Sequence, residues 1–294
     1  MNTDIYQSLR QGESGSIALT DRALWRLTGA DRVRYLNGQV TNDVASMKEG
    51  TALYAAVCTA KGRMAGDVFI GASADALWID ADLSLRESLG ARLEKYIIAD
   101  DAVLEDVTGD WRLTHVFGED EKFSQAAFRN PRFGLPAVDV WMNYDATKIV
   151  RGIEVSADIA EILRIEHGLP KWGAEMTEET LPPEAGMDRN GISYTKGCYV
   201  GQETIARIKS IGHVNKVLVV LEAADRSIPK TGAELRAGEQ SVGKTTSSGY
   251  SPALEKGIAL GYVQRQHAVV GGSFECGGLT LKMIEPPLPL PTRP

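Results

Sequence analysis

The chain has 294 residues, enough for more than one lobe, and its 43% hydrophobic and 24% charged residues are the balance of a folded globular protein. Its 32 Lys and Arg stand against 39 Asp and Glu, a net charge of −7. Such a chain is a poor non-specific DNA binder, because that activity rests on Lys and Arg neutralising phosphates, so direct DNA binding is not expected.

The opening Met1-Asn2-Thr3-Asp4 is polar and lacks the apolar core of a signal peptide, and the longest apolar runs, such as residues 217–221, are only strand-sized. A cytoplasmic chain with no membrane partner is expected. Cys58, Cys198 and Cys276 are odd in number and far apart, with no CxxC, which fits a reducing compartment better than a disulfide framework. His115, His167, His213 and His267 show no metal-ligand spacing, so they read as structural or exposed and no metal site is expected.

In chain order, residues 17–27 alternate loosely and read as strand. Gly29-Ala30-Asp31 opens a short helix through Leu36, closed by Gly38. Residues 53–58, 68–71 and 77–80 read as strands. Ser84-Leu85-Arg86-Glu87 has the pattern of a capping box, and Leu85, Leu89, Leu93 and Tyr96 give the following helix one apolar face. Residues 113–117 and 137–142 read as strands. Asp158-Ile159-Ala160-Glu161 starts a second boxed helix, ended by Gly168 and Pro170. Strands interleaved with helices indicate an α+β body. Past Gly212 the character changes: glycine recurs at 232, 238, 243, 249, 257 and 261 between short β-prone runs, which reads as a small β-barrel or sandwich.

One motif is refused. Gly238 to Thr245 fits GxxxxGK[ST], but that pattern cradles phosphate only between a hydrophobic strand and a helix. Residues 246–252 cannot sustain a helix, so a hairpin turning at Gly238-Glu239 is expected instead.

The segment that carries chemistry is Lys196-Gly197-Cys198-Tyr199-Val200-Gly201-Gln202-Glu203. Two glycines bracket a cysteine, Lys196 and Arg207 supply positive charge, and the residues after Gly201 read as a helix start. These influences favour a thiolate at Cys198 over a packing thiol. Cys58 and Cys276 lie in apolar or glycine-rich β segments and read as structural.

This octamer, KGCYVGQE, resembles the signature of the YgfZ-type folate-binding proteins of the aminomethyltransferase-like superfamily. Residues 27–31, 36–43, 60–64, 164–170, 248–252 and 258–261 resemble further parts of the same family. The resemblance implies an α+β fold: a multi-lobed, aminomethyltransferase-like folate-binding body of two lobes over 1–205, a C-terminal β-barrel over 206–285 and a Pro-rich tail over 286–294. It implies tetrahydrofolate or a one-carbon derivative as cofactor and iron–sulfur enzymes, tRNA-modifying ones among them, as clients whose clusters are assembled or repaired. Cys198 becomes the reactive residue, with Lys196, Gly197, Tyr199, Gly201, Gln202, Glu203 and Arg207 as its motif. Tyr54, Asp80 and Asp139 align with folate contacts, Asp139 at the place of a pterin-binding glutamate.

The aminomethyltransferases keep a catalytic aspartate shortly after the turn equivalent to Gly62. Gly66 holds that place here, and Asp67, one residue along a strand, is expected to face away from the folate. Glycine-cleavage activity is therefore not expected. Two alternatives to the maintenance role stay open: a folate-dependent one-carbon transferase or demethylase, and a non-enzymatic module that docks a client through KGCYVGQE.

Overall fold

The computed structural model describes residues 2–118, 126–144 and 152–286. In chain order these form α1 (Thr3–Arg10), β1 (Gly15–Leu19), β2 (Arg22–Thr28), α2 (Arg32–Asn37), β3 (Ala52–Cys58), β4 (Met64–Ala72), β5 (Leu77–Asp82) and α3 (Arg86–Glu94). Next come β6 (Val103–Asp106), β7 (Trp111–Phe117), β8 (Ala127–Arg129), β9 (Ala137–Asn143), β10 (Ile153–Glu154), α4 (Ala157–Glu166) and α5 (Gln202–Ile211). The last six strands are β11 (Lys216–Ala223), β12 (Glu234–Ala237), β13 (Gln240–Ser251), β14 (Lys256–Gln264), β15 (Ser273–Cys276) and β16 (Leu279–Ile284).

Three sheets result. One runs β10-β1-β7-β9-β8, a second runs β3-β4-β5-β2-β6, and the third closes as a barrel in the order β11-β14-β13-β12-β15-β16. Residues 17–27 are not one strand. The polar pair Thr20-Asp21 breaks them, and the chain crosses there from the first sheet to the second.

The second sheet is two-faced because strand side chains alternate. Ala23, Trp25, Leu27, Val57, Val68, Ile70 and Ile79 turn one way and bury against Leu85, Leu89 and Leu93. Each of the Val, Leu and Ile side chains among them contributes roughly 1.5–3 kcal/mol on burial. The opposite face carries a row across four strands, Tyr54–Phe69–Asp80–Leu24 in register. Polar and aromatic residues on that face have no place in the α3 core.

Helix starts differ from the capping-box reading. Ser84 lies in a 3₁₀ turn, Leu83–Leu85, where the Asp82 carboxylate accepts from its amide at 3.0 Å and its hydroxyl at 2.6 Å. Asp82 outcompetes Ser84 as the capping oxygen, and α3 begins only at Arg86. Ser156, not Asp158, stands at the cap position of α4.

The barrel encloses Val219, Leu221, Leu235, Val242, Phe274 and Leu281. It docks on the body through β13. Ser251 donates to Glu166 and Ser247 to Glu175, at 2.5 and 2.6 Å, and both carboxylates are buried. A Cβ on Gly249 would stand 2.2 Å from the terminal Cδ1 of Ile162 of α4, which would have to move to admit it. β12 and β13 pair Ala237 with Gln240, which makes Gly238-Glu239 a hairpin turn and removes the phosphate-loop reading. The boundary expected at 205/206 falls inside α5. Beyond Pro286, the Pro-rich tail lies outside the described residues.

Candidate functional site

A cavity of about 460 Å³ opens where the two five-stranded sheets meet α4. The crossing at Thr20-Asp21 forms part of its wall, since both residues and the neighbouring Arg22 line it. Tyr54, Asp67 and Phe69 reach it from β3 and β4, Arg132 from the loop before β9, and Trp172 from the segment after α4. The volume lies within the range of roughly 300–1,000 Å³ typical of small-molecule sites.

Asp67 corrects the sequence reading. It lines the cavity and is 4% exposed, whereas a Cβ on Gly66 would stand 2.9 Å from Leu85 on the α3 side. The alternation argument holds, but its anchor was one residue off. β3 pairs Val57 with Gly66 and Cys58 with Met64, so Ala65 is an extra residue that shifts the register. The ground for setting aside aminomethyl transfer, an aspartate facing away, is thereby removed.

The Tyr54 hydroxyl donates to Asp67 Oδ2 at 3.1 Å, and its ring lies 4.6 Å from that of Phe69. Asp67 Oδ1 is buried without a hydrogen-bond partner among the described residues. Burial pushes the Asp67 carboxyl up, against the opposing pull of Arg22 and of the Tyr54 hydroxyl. The pair can hold a proton or accept a donor from a ligand.

Asp80 and Asp139 do not line the cavity. Arg132 grips Asp80 with two bonds of 3.0 and 2.8 Å and reaches Asp139 Oδ2 at 2.6 Å. Asn130 also donates to Asp139 Oδ2, at 2.6 Å, and His115 Nδ1 meets Oδ1 at 2.6 Å. Asp139, expected to accept donors from a pterin, thus spends both oxygens on protein partners. Its place in the site is indirect, through Arg132. Burial disfavours its charge, yet Arg132 and the His115 bond outweigh burial and hold the carboxyl well below the usual range. Burial pushes the His115 imidazole down, against the opposing pull of Asp139. Arg22 Nε donates to Asp80 at 2.6 Å, and the Arg132 guanidinium covers the Phe69 ring at 4.0 Å.

The KGCYVGQE segment builds a separate surface. Lys196, read as an electropositive neighbour of Cys198, instead turns inward and donates to the carbonyls of Asn37, Val40 and Asn42 at 2.5, 2.9 and 2.7 Å. Burial pushes its ammonium down to about 8. Tyr199 is buried with Cys58 and Met64. Gly201 caps α5 at φ 88°, and a Cβ there would stand 2.5 Å from the Thr59 carbonyl, so a side chain is doubly excluded. Gly197, Glu203 and Arg207 are exposed, and Gln202 opens α5 half-buried.

Cys198 is exposed, whereas Cys58 and Cys276 are buried. Burial pushes the Cys58 thiol up to about 12. Cys198 does not line the cavity. The two places share β3, which carries Tyr54 at the cavity and Cys58 beneath Gly201. They are also joined by Asn42, whose amide donates to the carbonyls of Tyr54 and of the cavity residue Asn190.

Arg22, Phe69 and Arg132 escaped the sequence reading. The period-2 pattern of β4 was the available signal for Phe69. Nothing local marks Arg132, whose carboxylate Asp80 is 52 residues away.

Comparison with known proteins gives three findings. The model for the glycine cleavage T-protein C-terminal barrel domain matches residues 216–283, the barrel described above. The chain is 31% identical over 244 residues to the tRNA-modifying protein YgfZ of Yersinia enterocolitica, spanning 74% of each chain. The YgfZ of Yersinia pestis matches at 31% over 245 residues, with the same 74% coverage of both. Among solved structures, the glycine cleavage system aminomethyltransferase T of Bartonella henselae superposes with a TM-score of 0.81 over 96% of this chain and 88% of that one. At 17% identity, that likeness concerns the fold.

Proposed function

The chain belongs to the YgfZ family, and we propose that it binds tetrahydrofolate or a one-carbon derivative in the cavity between its two sheets. Bound there, the folate supports assembly or repair of iron–sulfur clusters in client enzymes of the cytoplasm, tRNA-modifying ones included. The observation that carries the folate reading is Asp67 Oδ1, a buried acceptor without a partner among the described residues, on the wall of a ligand-sized cavity. A buried carboxylate oxygen without a donor is costly, and the N–H edge of a pterin supplies one. Phe69 and Tyr54 give that wall an aromatic lining suited to a flat ring. Among the described residues, no helix is long and apolar enough to cross a membrane.

The client role rests on the family, whose relatives are named tRNA-modifying proteins, and on Cys198 as the accessible thiol. The test pairs two readouts. Tetrahydrofolate should raise the melting temperature of the purified protein, because a ligand that binds only the native state stabilises it. In cells lacking the protein, wild type should restore iron–sulfur enzyme activity and Cys198→Ser should not. An unchanged melting curve at millimolar tetrahydrofolate contradicts the first part, and full rescue by Cys198→Ser contradicts the second.

Asp67 favours a second reading, folate-dependent one-carbon transfer. A carboxyl group in the cavity, hydrogen-bonded by Tyr54, is placed for proton transfer at a ligand nitrogen. Methylene-tetrahydrofolate turnover by wild type that disappears in Asp67→Asn would establish this reading. No turnover in either, with folate bound by wild type, leaves the maintenance role.

A further inference from the structure

We propose that Arg22 is the specificity-determining donor of the cavity, its Nη2 binding an uncharged ring carbonyl of the ligand, the 4-oxo group of a tetrahydropterin. The inference rests on the folate reading and adds which side chain reads which group.

Arg22 begins β2 directly after the Thr20-Asp21 crossing, which places it on the cavity wall. Its Nε is fixed by Asp80 at 2.6 Å, while its Nη2 is buried with no hydrogen-bond partner among the described residues. Asp80 already accepts three bonds, one from Arg22 Nε and two from Arg132, and none comes from Arg22 Nη2. The unused N–H therefore belongs to whatever enters the cavity. Donor and acceptor belong to the sheet face that carries Phe69, Arg22 from β2 and Asp67 two residues before Phe69 on β4. A lactam edge, N–H beside C=O, satisfies both.

The charge inventory selects a neutral acceptor. Arg22 and Arg132 are balanced by Asp80 and Asp139, and Asp67 adds a further carboxyl. A ligand carboxylate brought to Arg22 would meet three protein carboxyl groups in a desolvated place. The anionic tail of a folate finds water and the half-exposed Lys171 on the cavity wall instead. Asp80 is the positioning residue of the pair, because it aims Arg22 without lining the cavity itself.

The test is anaerobic titration calorimetry with two probes, tetrahydrofolate and its 4-thioxo analogue, which keeps N3–H for Asp67 and replaces the oxygen by sulfur, a weak acceptor. Wild type should prefer tetrahydrofolate by about ten- to a hundredfold, the cost of leaving a buried donor poorly paired. Arg22→Met should bind the two within about threefold, since the donor is gone. Arg22→Lys keeps a cation for Asp80 without the planar fork and should lose most of the preference, which keeps the test decisive if Arg22→Met fails to fold. Asp67→Asn should bind both more weakly yet retain the preference. The same preference in wild type and both Arg22 variants overturns the assignment of Arg22 alone. Absence of tetrahydrofolate binding by folded wild type overturns the folate reading, and the Arg22 assignment with it.

Discussion

The Tyr54 hydroxyl donates to Asp67 Oδ2 at 3.1 Å, while the other oxygen of this cavity-lining residue is buried with no partner among the described residues. Two adjacent strands, β3 and β4, thus supply both members of a polar pair on a face whose reverse side is the α3 core.

Burial pushes the Asp67 carboxyl up, so the folded protein keeps that proton to higher pH than the unfolded chain, where an aspartate titrates near ~3.9. The stability contributed by neutral Asp67 is complete below that pH and is lost as pH rises through the folded value. Asp67→Asn removes the loss. The unfolding free energy of the variant minus that of wild type should therefore grow across this window and then level off. Urea titrations at a series of pH values measure it, and a flat difference contradicts the assignment. Asp139 acts in the opposite sense. It is held low by Arg132 and His115 despite burial, and its stabilisation fades as pH falls.

Arg132→Met should destabilise the fold by about 3–5 kcal/mol, because it takes from the buried Asp80 and Asp139 the cation that bridges them. Adding Asp139→Asn to it should cost less than the sum of the two single changes, as expected for residues in one network. Denaturant unfolding of the four proteins measures the coupling; strict additivity contradicts it.

Lys196→Met should destabilise by about 1–3 kcal/mol, since the carbonyls of Asn37, Val40 and Asn42 lose their shared ammonium donor. A stability equal to that of wild type would show that the loop holds without it.

Cys198 should alkylate fastest of the three thiols in the native protein, because Cys58 and Cys276 are buried and burial raises both thiols. Cys198→Ser should leave stability within about 0.5 kcal/mol of wild type, as for an exposed site. Mass spectrometry of timed iodoacetamide reactions checks the order, and faster labelling of Cys58 contradicts it.

Several of these features were legible in the sequence. The hairpin at Gly238-Glu239, the barrel after Gly212, the helix following Gly201 and the contrast between Cys198 and the other two cysteines all rest on local pattern: glycine spacing, β-prone runs and apolar neighbours. The site's ionic frame was not legible. His115 meets Asp139 across 24 residues on the neighbouring strand, Arg132 meets Asp80 of the other sheet across 52, and no period or motif encodes such long-range contacts. The orientation of Asp67 was misread for a different reason. Alternation fixes relative direction along a strand, and the single extra residue at Ala65 moves its anchor.

Anaerobic calorimetric titration of tetrahydrofolate into wild type and Asp67→Ala tests the central claim most directly. Saturable binding by wild type, weakened in Asp67→Ala by about 1.5–3 kcal/mol, is the expected result for a ligand N–H bonded to a buried carboxylate. Equal affinities in the two folded proteins, or no binding by wild type at millimolar ligand, would contradict the assignment of the cavity as a folate site read by Asp67.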